Sequence, residues 1–183
     1  MAKVKFGLKN VHYAKITETV GVRTYAKPVA IPGAVSLTID PDGDEETFYA
    51  DNTKYYVSRA NNGYTGSLEI ALLPESFKID ILGETKNADG VLIETANDKQ
   101  SNYALLYQVE GDKEATRFVY YECSASRPTA SQSTTTGTRT PATDTLDFSA
   151  IPRTGDQRIK AVADAKAVAY ATWFATVYGP TAV

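Results

Sequence analysis

Along most of this chain hydrophobic and polar residues alternate with a period of two, the mark of strands with one buried face. In AVSLTI, Val35, Leu37 and Ile39 alternate with Ser36 and Thr38. Further on, Leu68, Ile70 and Leu72 share a face, and Asn62-Gly63 before them predicts a turn between two strands, because both residues tolerate positive φ. TLDFSAI alternates Leu146, Phe148 and Ala150. The clearest hairpin joins YALLYQV to EATRFVYYEC through Gly111-Asp112. Its first arm carries Tyr103 and Tyr107 on one face, and its second sends Tyr120 and Tyr121 to opposite faces. Residues 1–13 read as an N-terminal arm or strand.

Two stretches change to helical spacing. In PESFKIDILG, Pro74 suits the first helical position, Glu75 complements the helix dipole and Gly83 ends the turn. Phe77 and Ile81, four residues apart, fall on one face and are predicted to pack on a sheet. YATWFATVY predicts a second helix, with Trp173–Val177 and Phe174–Tyr178 pairs, stopped by Gly179-Pro180. Residues 157–166 fit either a last strand or the start of that helix. The pattern predicts one α+β domain over residues 1–183, mainly β, with one or two short helices.

Two segments lack periodicity. Residues 124–143, SASRPTASQSTTTGTRTPAT, are poor in apolar residues and broken by Pro128, Gly137 and Pro141, which predicts a long surface loop. Residues 40–53 begin with DPDGDEE, five carboxylates in seven residues. The D-x-D-x-D spacing suggests a cation, but a calcium loop of the EF-hand type needs Gly at its sixth position and Glu at its twelfth. Counting from Asp40, those positions hold Glu45 and Asp51. A catalytic pair needs its acids fixed across a cleft. Five adjacent acids repel and seek water, so an acidic, solvated loop is expected.

Composition narrows the function. Of 183 residues 43% are hydrophobic and 22% charged, ordinary for a globular chain, and twelve tyrosines favour half-buried pleated surfaces. A net charge of −3 without a basic block argues against a nucleic-acid binder. Cys123 and His12 are the only residues of their kinds, so neither a disulfide nor a His/Cys zinc set can be built within the chain. Cys123 sits beside tyrosines and reads as packing, and His12 as packing or a surface hydrogen bond. No nucleophile elbow, dinucleotide fingerprint or phosphate loop occurs. No catalytic residue, metal or cofactor is expected. MAKVKFGLKN lacks an apolar signal core, and the Ala-rich C-terminal stretch is interrupted by Asp164 and Lys166, so a soluble protein made in a cytoplasm is expected.

FGLKNVHYA, FYADNTKYY and GYTGSLEIALLPESFKIDILG resemble segments of the major tail proteins of long-tailed, siphovirus-type bacteriophages. YECSASRPTASQSTTTGTRTPATDTLDFSAIPR and TWFATVYGP extend the likeness, in the same order, over nearly the whole chain. The resemblance implies a β-sandwich or open barrel with a flanking short helix and long loops, similar also to type VI secretion tube proteins. It implies a structural virion protein, not an enzyme, made in the bacterial host's cytoplasm. Copies would self-assemble into stacked hexameric rings that form the tail tube, the conduit for DNA ejection. DNA would pass without specific binding and no membrane would be involved. Further partners implied are a tape-measure protein, a tail terminator and baseplate or distal tail proteins. The flanking helix would be PESFKIDIL, packed through Phe77 and Ile81. Contacts between subunits or rings would come from Asp40, Asp42, Asp44, Glu45, Glu46, Tyr49, Asp51, Tyr55 and Tyr56. The alternative is a β-sandwich binding module that recognises carbohydrate or a cell surface through its tyrosines. A hydrolase using the acidic run ranks last.

Overall fold

A computed structural model describes residues 4–19, 22–132, 134 and 141–179. The long strand β1 (Lys5–Thr19) opens the fold, followed by β2 (Val22–Tyr25) and the short β3 (Val29–Ala30). Next come β4 (Ala34–Asp42), β5 (Glu45–Ala50), β6 (Thr53–Arg59) and β7 (Gly63–Ile70). A single α-turn, α1 (Glu75–Phe77), runs into a π-helical turn, Lys78–Leu82. A small ribbon of β8 (Thr85–Lys86) and β9 (Leu92–Ile93) precedes the central hairpin of β10 (Tyr103–Gly111) and β11 (Thr116–Ala125). The chain closes through β12 (Thr129–Ala130), β13 (Asp144–Ala150) and β14 (Lys160–Ala163).

The main sheet runs β2-β1-β10-β11-β13-β7-β4, with β3, β12 and β14 attached at its margins. Its described pairs are antiparallel. β11 splits the sheet: residues 117–120 pair with β14, whereas 123–125 pair with β13. The sheet therefore divides into an open sandwich instead of closing as a barrel, and among the described residues no strand pairs with the outer edge of β4. The mainly β fold with a short flanking helical turn is the one expected. No helix among the described residues is long and apolar enough to cross a membrane.

Alternation in the central hairpin distributes side chains to two cores. Tyr103, Leu105 and Tyr107 face one, with Leu68, Ile70, Leu146 and Phe148, while Ala104 and Leu106 face the other. Phe77 and Ile81, both fully buried, close the first core from the helical turn, as their spacing predicts. The Tyr13 hydroxyl donates to Asp80 at 2.8 Å and ties β1 to that turn. Trp173 closes the second core, and its indole N–H donates to the Phe118 carbonyl at 3.2 Å. Cys123 is fully buried in the first core, and burial pushes its thiol well up. His12 stacks on Phe174 with centroids 4.6 Å apart, and its Nδ1 lies 2.8 Å from the Asn10 carbonyl.

One buried charge is fully partnered. The register shift between β10 and β11 follows Tyr103 and brings Glu122 inside. Its carboxylate accepts two bonds of 2.8 Å from Arg23, one of 3.0 Å from Asn102 and one of 3.1 Å from the Thr154 N–H. Tyr103 and Tyr121, by contrast, bury hydroxyls that have no hydrogen-bond partner among the described residues. An unsatisfied buried hydroxyl is costly, and a phenyl ring keeps the packing. Tyr103→Phe is expected to leave the chain equally or more stable, by up to about 1 kcal/mol in a urea melt.

The structure corrects several local expectations. Val35 is 55% exposed, because the register shifts between Ala34 and Ser36 and puts Ala34 against the core with Leu37 and Ile39. Leu72 is 72% exposed: β7 ends at Ile70 and the chain turns, so Leu73 is buried in its place. Pro74 is the extended N-cap, not the first helical residue, and Gly83 ends the turn at φ 85° as expected. Within residues 157–166, Lys160–Ala163 is strand. The predicted C-terminal helix is a 3₁₀ turn, Val168–Tyr170, followed by irregular turns. Trp173 stacks on Tyr178 and Phe174 on His12, not on the residues four places on. Of the predicted 124–143 loop, Ser124 and Ala125 belong to β11 and Thr129–Ala130 to β12. Residues 133 and 135–140 of that stretch lie outside the described residues.

Candidate functional site

The expected acidic loop is the middle of one long antiparallel ribbon. β4 pairs with β7 from Ala34↔Ile70 to Asp42↔Gly63. The ladder continues through Asn62 N–H to Asp42 O and Ala60 N–H to Asp44 O, each 2.9 Å, and into β5–β6 from Glu45↔Arg59 to Ala50↔Thr53. Asn62-Gly63 is thus no hairpin turn, because β6 and β7 follow one another along the same side of the ribbon. The turn is Asp51-Asn52, with φ 52° and 58°, the positive pair that a two-residue type I′ hairpin requires.

Only the root of this ribbon belongs to the main sheet; β5 and β6 form a separate two-stranded sheet. Six residues of strand put its tip about 20 Å beyond the root. Glycines make the transition. A Cβ on Gly43 would fall 2.0 Å from the Ala60 carbonyl oxygen, and one on Gly63 2.0 Å from that of Ala150. Gly63 also has φ 122°, which favours glycine. Gly63→Ala is expected to cost about 1–3 kcal/mol, seen as a lower midpoint in thermal unfolding.

Burial marks the ribbon as unfinished. Phe48, Tyr49, Tyr55 and Tyr56 are 60, 60, 72 and 62% exposed. A two-stranded ribbon is marginal alone in water, and these apolar side chains have no cover from the described part of the chain. Register assigns faces: Glu46↔Ser58 and Phe48↔Tyr56 share one, Glu45↔Arg59 and Thr47↔Val57 the other. Glu45 accepts from Arg59 Nε at 2.9 Å. Tyr49 lies opposite Lys54 after a further register shift, and Asp51 sits in the tip.

Asp40 and Asp42, two residues apart on β4, are about 7 Å apart along the strand. Asp44 lies past the glycine junction. Among the described residues no three His, Cys, Asp or Glu side chains gather so that they could hold a metal ion. The structure thus joins Glu46, Tyr49, Asp51, Tyr55 and Tyr56 in the ribbon but leaves Asp40 at its root. Sequence reasoning missed Phe48 and Val57, although the signal is there: the apolar runs Phe48-Tyr49 and Tyr55-Tyr56-Val57 flank the turn residues Asp51-Asn52.

Asp40 belongs to a second surface. The outer face of β4, β7 and β13 carries the cross-strand rows Ser36–Glu69–Thr145, Thr38–Ser67–Asp147 and Asp40–Thr65–Ser149. Hydroxyls and three carboxylates make up these rows, with no lysine or arginine among them. Glu69 accepts from Ser36 and Thr143 hydroxyls at 3.0 and 2.8 Å.

No curated protein matches the chain in sequence. A family model described as phage tail tube protein matches residues 2–178. That span takes in the open sandwich, the flanking helical turn and the whole projecting ribbon. With this match over nearly its whole length the chain belongs to the phage tail tube protein family, structural components of the virion tail.

Proposed function

We propose that the chain, as one domain spanning residues 1–183, assembles into stacked hexameric rings whose lumen conducts DNA out of a siphovirus-type virion. The observation that carries this reading is the β5–β6 ribbon, whose aromatic side chains are more than half exposed. A partner must cover them, and an arm that reaches from one copy to a different patch on the next makes a heterologous contact. Such contacts close into rings or extend as filaments. The outer edge of β4, unpaired among the described residues, supports the same reading, because an unpaired strand edge invites pairing with a neighbour.

The acid and hydroxyl face of β4, β7 and β13 suits the lumen wall. Lysines and arginines there would exchange counterions with the phosphates and hold DNA. Carboxylates repel it and hydroxyls keep the wall wetted, so transit needs no specific contact. A tape-measure protein, a tail terminator and baseplate or distal tail proteins would meet the tube within or at its ends.

Negative-stain electron microscopy of the concentrated protein tests the reading. Rings or tubes of uniform diameter are expected. A chain that stays monomeric even with its tail partners present would overturn it.

A further inference from the structure

The molecule also holds a surface suited to receive the ribbon. Where β4 comes opposite the first residues of β1, a groove of about 510 Å³ opens into the first core. Its floor is aromatic: Tyr107 stacks on Phe118 with centroids 4.9 Å apart, and Tyr64 meets Tyr120 edge-on at 5.4 Å. Two cations rim it, the Lys160 ammonium 4.6 Å from the Tyr64 ring centre and the Lys5 ammonium 5.9 Å from that of Phe118. Among the described residues no carboxylate lines it, and neither does any residue of β5 or β6 of the same copy.

We infer that this groove receives the β5–β6 ribbon of a second copy of the chain, taking its Phe48–Tyr56 face between the two lysines. The inference rests on the tube reading and names the patch at which copies meet. Three observations select the occupant. Phe48 and Tyr56 pair directly on one ribbon face and are more than half exposed, so they are apolar surface without cover. Glu46 lies on that face and Asp44 one step nearer the root, which places two carboxylates where Lys5 and Lys160 can meet them. The groove is also large enough for two aromatic side chains. A larger cleft of about 610 Å³ beside it is lined by Glu110, Glu114 and Asp164 together with Lys5 and Lys166, so its carboxylates offset its cations, whereas the aromatic-floored groove has two lysines and no acid. Charge and the aromatic floor together favour the smaller groove for an acidic, aromatic ribbon.

A heterologous contact of this kind permits a test by mixing. One variant carries Lys5→Glu and Lys160→Glu, the other Asp44→Lys and Glu46→Lys. Each alone sets like charges against each other at every contact and is expected to assemble at least tenfold less than the parent, by pelleting and electron microscopy. An equimolar mixture restores attraction at both kinds of contact, so tubes are expected to return. Restoration also shows that both variants are folded. Variants that assemble as the parent does, or a mixture that stays unassembled, overturn the groove assignment alone. A parent that forms no tubes overturns the tube reading and the groove with it.

Discussion

Phe48→Ser with Tyr56→Ser is expected to abolish tube formation while lowering the melting temperature of the isolated chain by no more than about 4 °C. The two rings form a direct cross-strand pair on the projecting ribbon and belong to neither core. Their loss therefore removes nothing from the fold beyond a pair interaction of about 0.2–1 kcal/mol within a ribbon that is already marginal. At an interface the balance differs. Buried aromatic anchors contribute about 2 kcal/mol each, and losing two weakens every contact by close to three decades in affinity. Sedimentation of parent and variant at matched concentrations, beside thermal unfolding of both, measures the two effects separately. A variant that still pellets as tubes would remove the ribbon from the assembly surface.

Phe77→Ala is expected to act on the opposite property. Phe77 is fully buried, with Tyr13 edge-on at 5.0 Å and Tyr103 at 5.4 Å. Truncation loses the transfer energy of the ring and leaves a cavity between two tyrosines that other contacts hold in place. The expected cost is about 3–5 kcal/mol, a large share of the roughly 5–15 kcal/mol that stabilises a domain. Urea unfolding should show the midpoint fall with an unchanged slope. Assembly should fail only where the fold fails, which separates this variant from the ribbon pair. A cost below about 1 kcal/mol would mean that the helical turn is not part of the core.

Much of this was legible locally. Leu146, Phe148 and Ala150 alternate and are buried; Phe77 and Ile81 stand four apart and meet the same core. The central hairpin follows from its turn residues and alternating arms. What local pattern misread has physical causes. Val35 keeps the period in sequence, but a bulge breaks it in space. Asn62-Gly63 has the residues of a hairpin turn, yet the ladder partner of Gly63 is Asp42, across the ribbon. Trp173 and Phe174 have helical spacing, but each finds a better ring elsewhere, Tyr178 and His12.

Local sequence sufficed for the mainly β content, the apolar face of β13, the place of the short helical turn and, with one His and one Cys, the impossibility of a His/Cys metal set. Those properties depend on neighbours within a few residues, and a period of two records them. Long-range structure alone set which distant strands pair, as when β1 takes β10 almost a hundred residues away. It also decided that Tyr55 and Tyr56 stand in water while Tyr103 and Tyr121 are buried. Alternation names a face but not what will cover it, since a strand buries its apolar side equally well in its own core or against another copy. DPDGDEE shows the difference: locally it is an acidic turn, and only long-range pairing makes it the root of an arm.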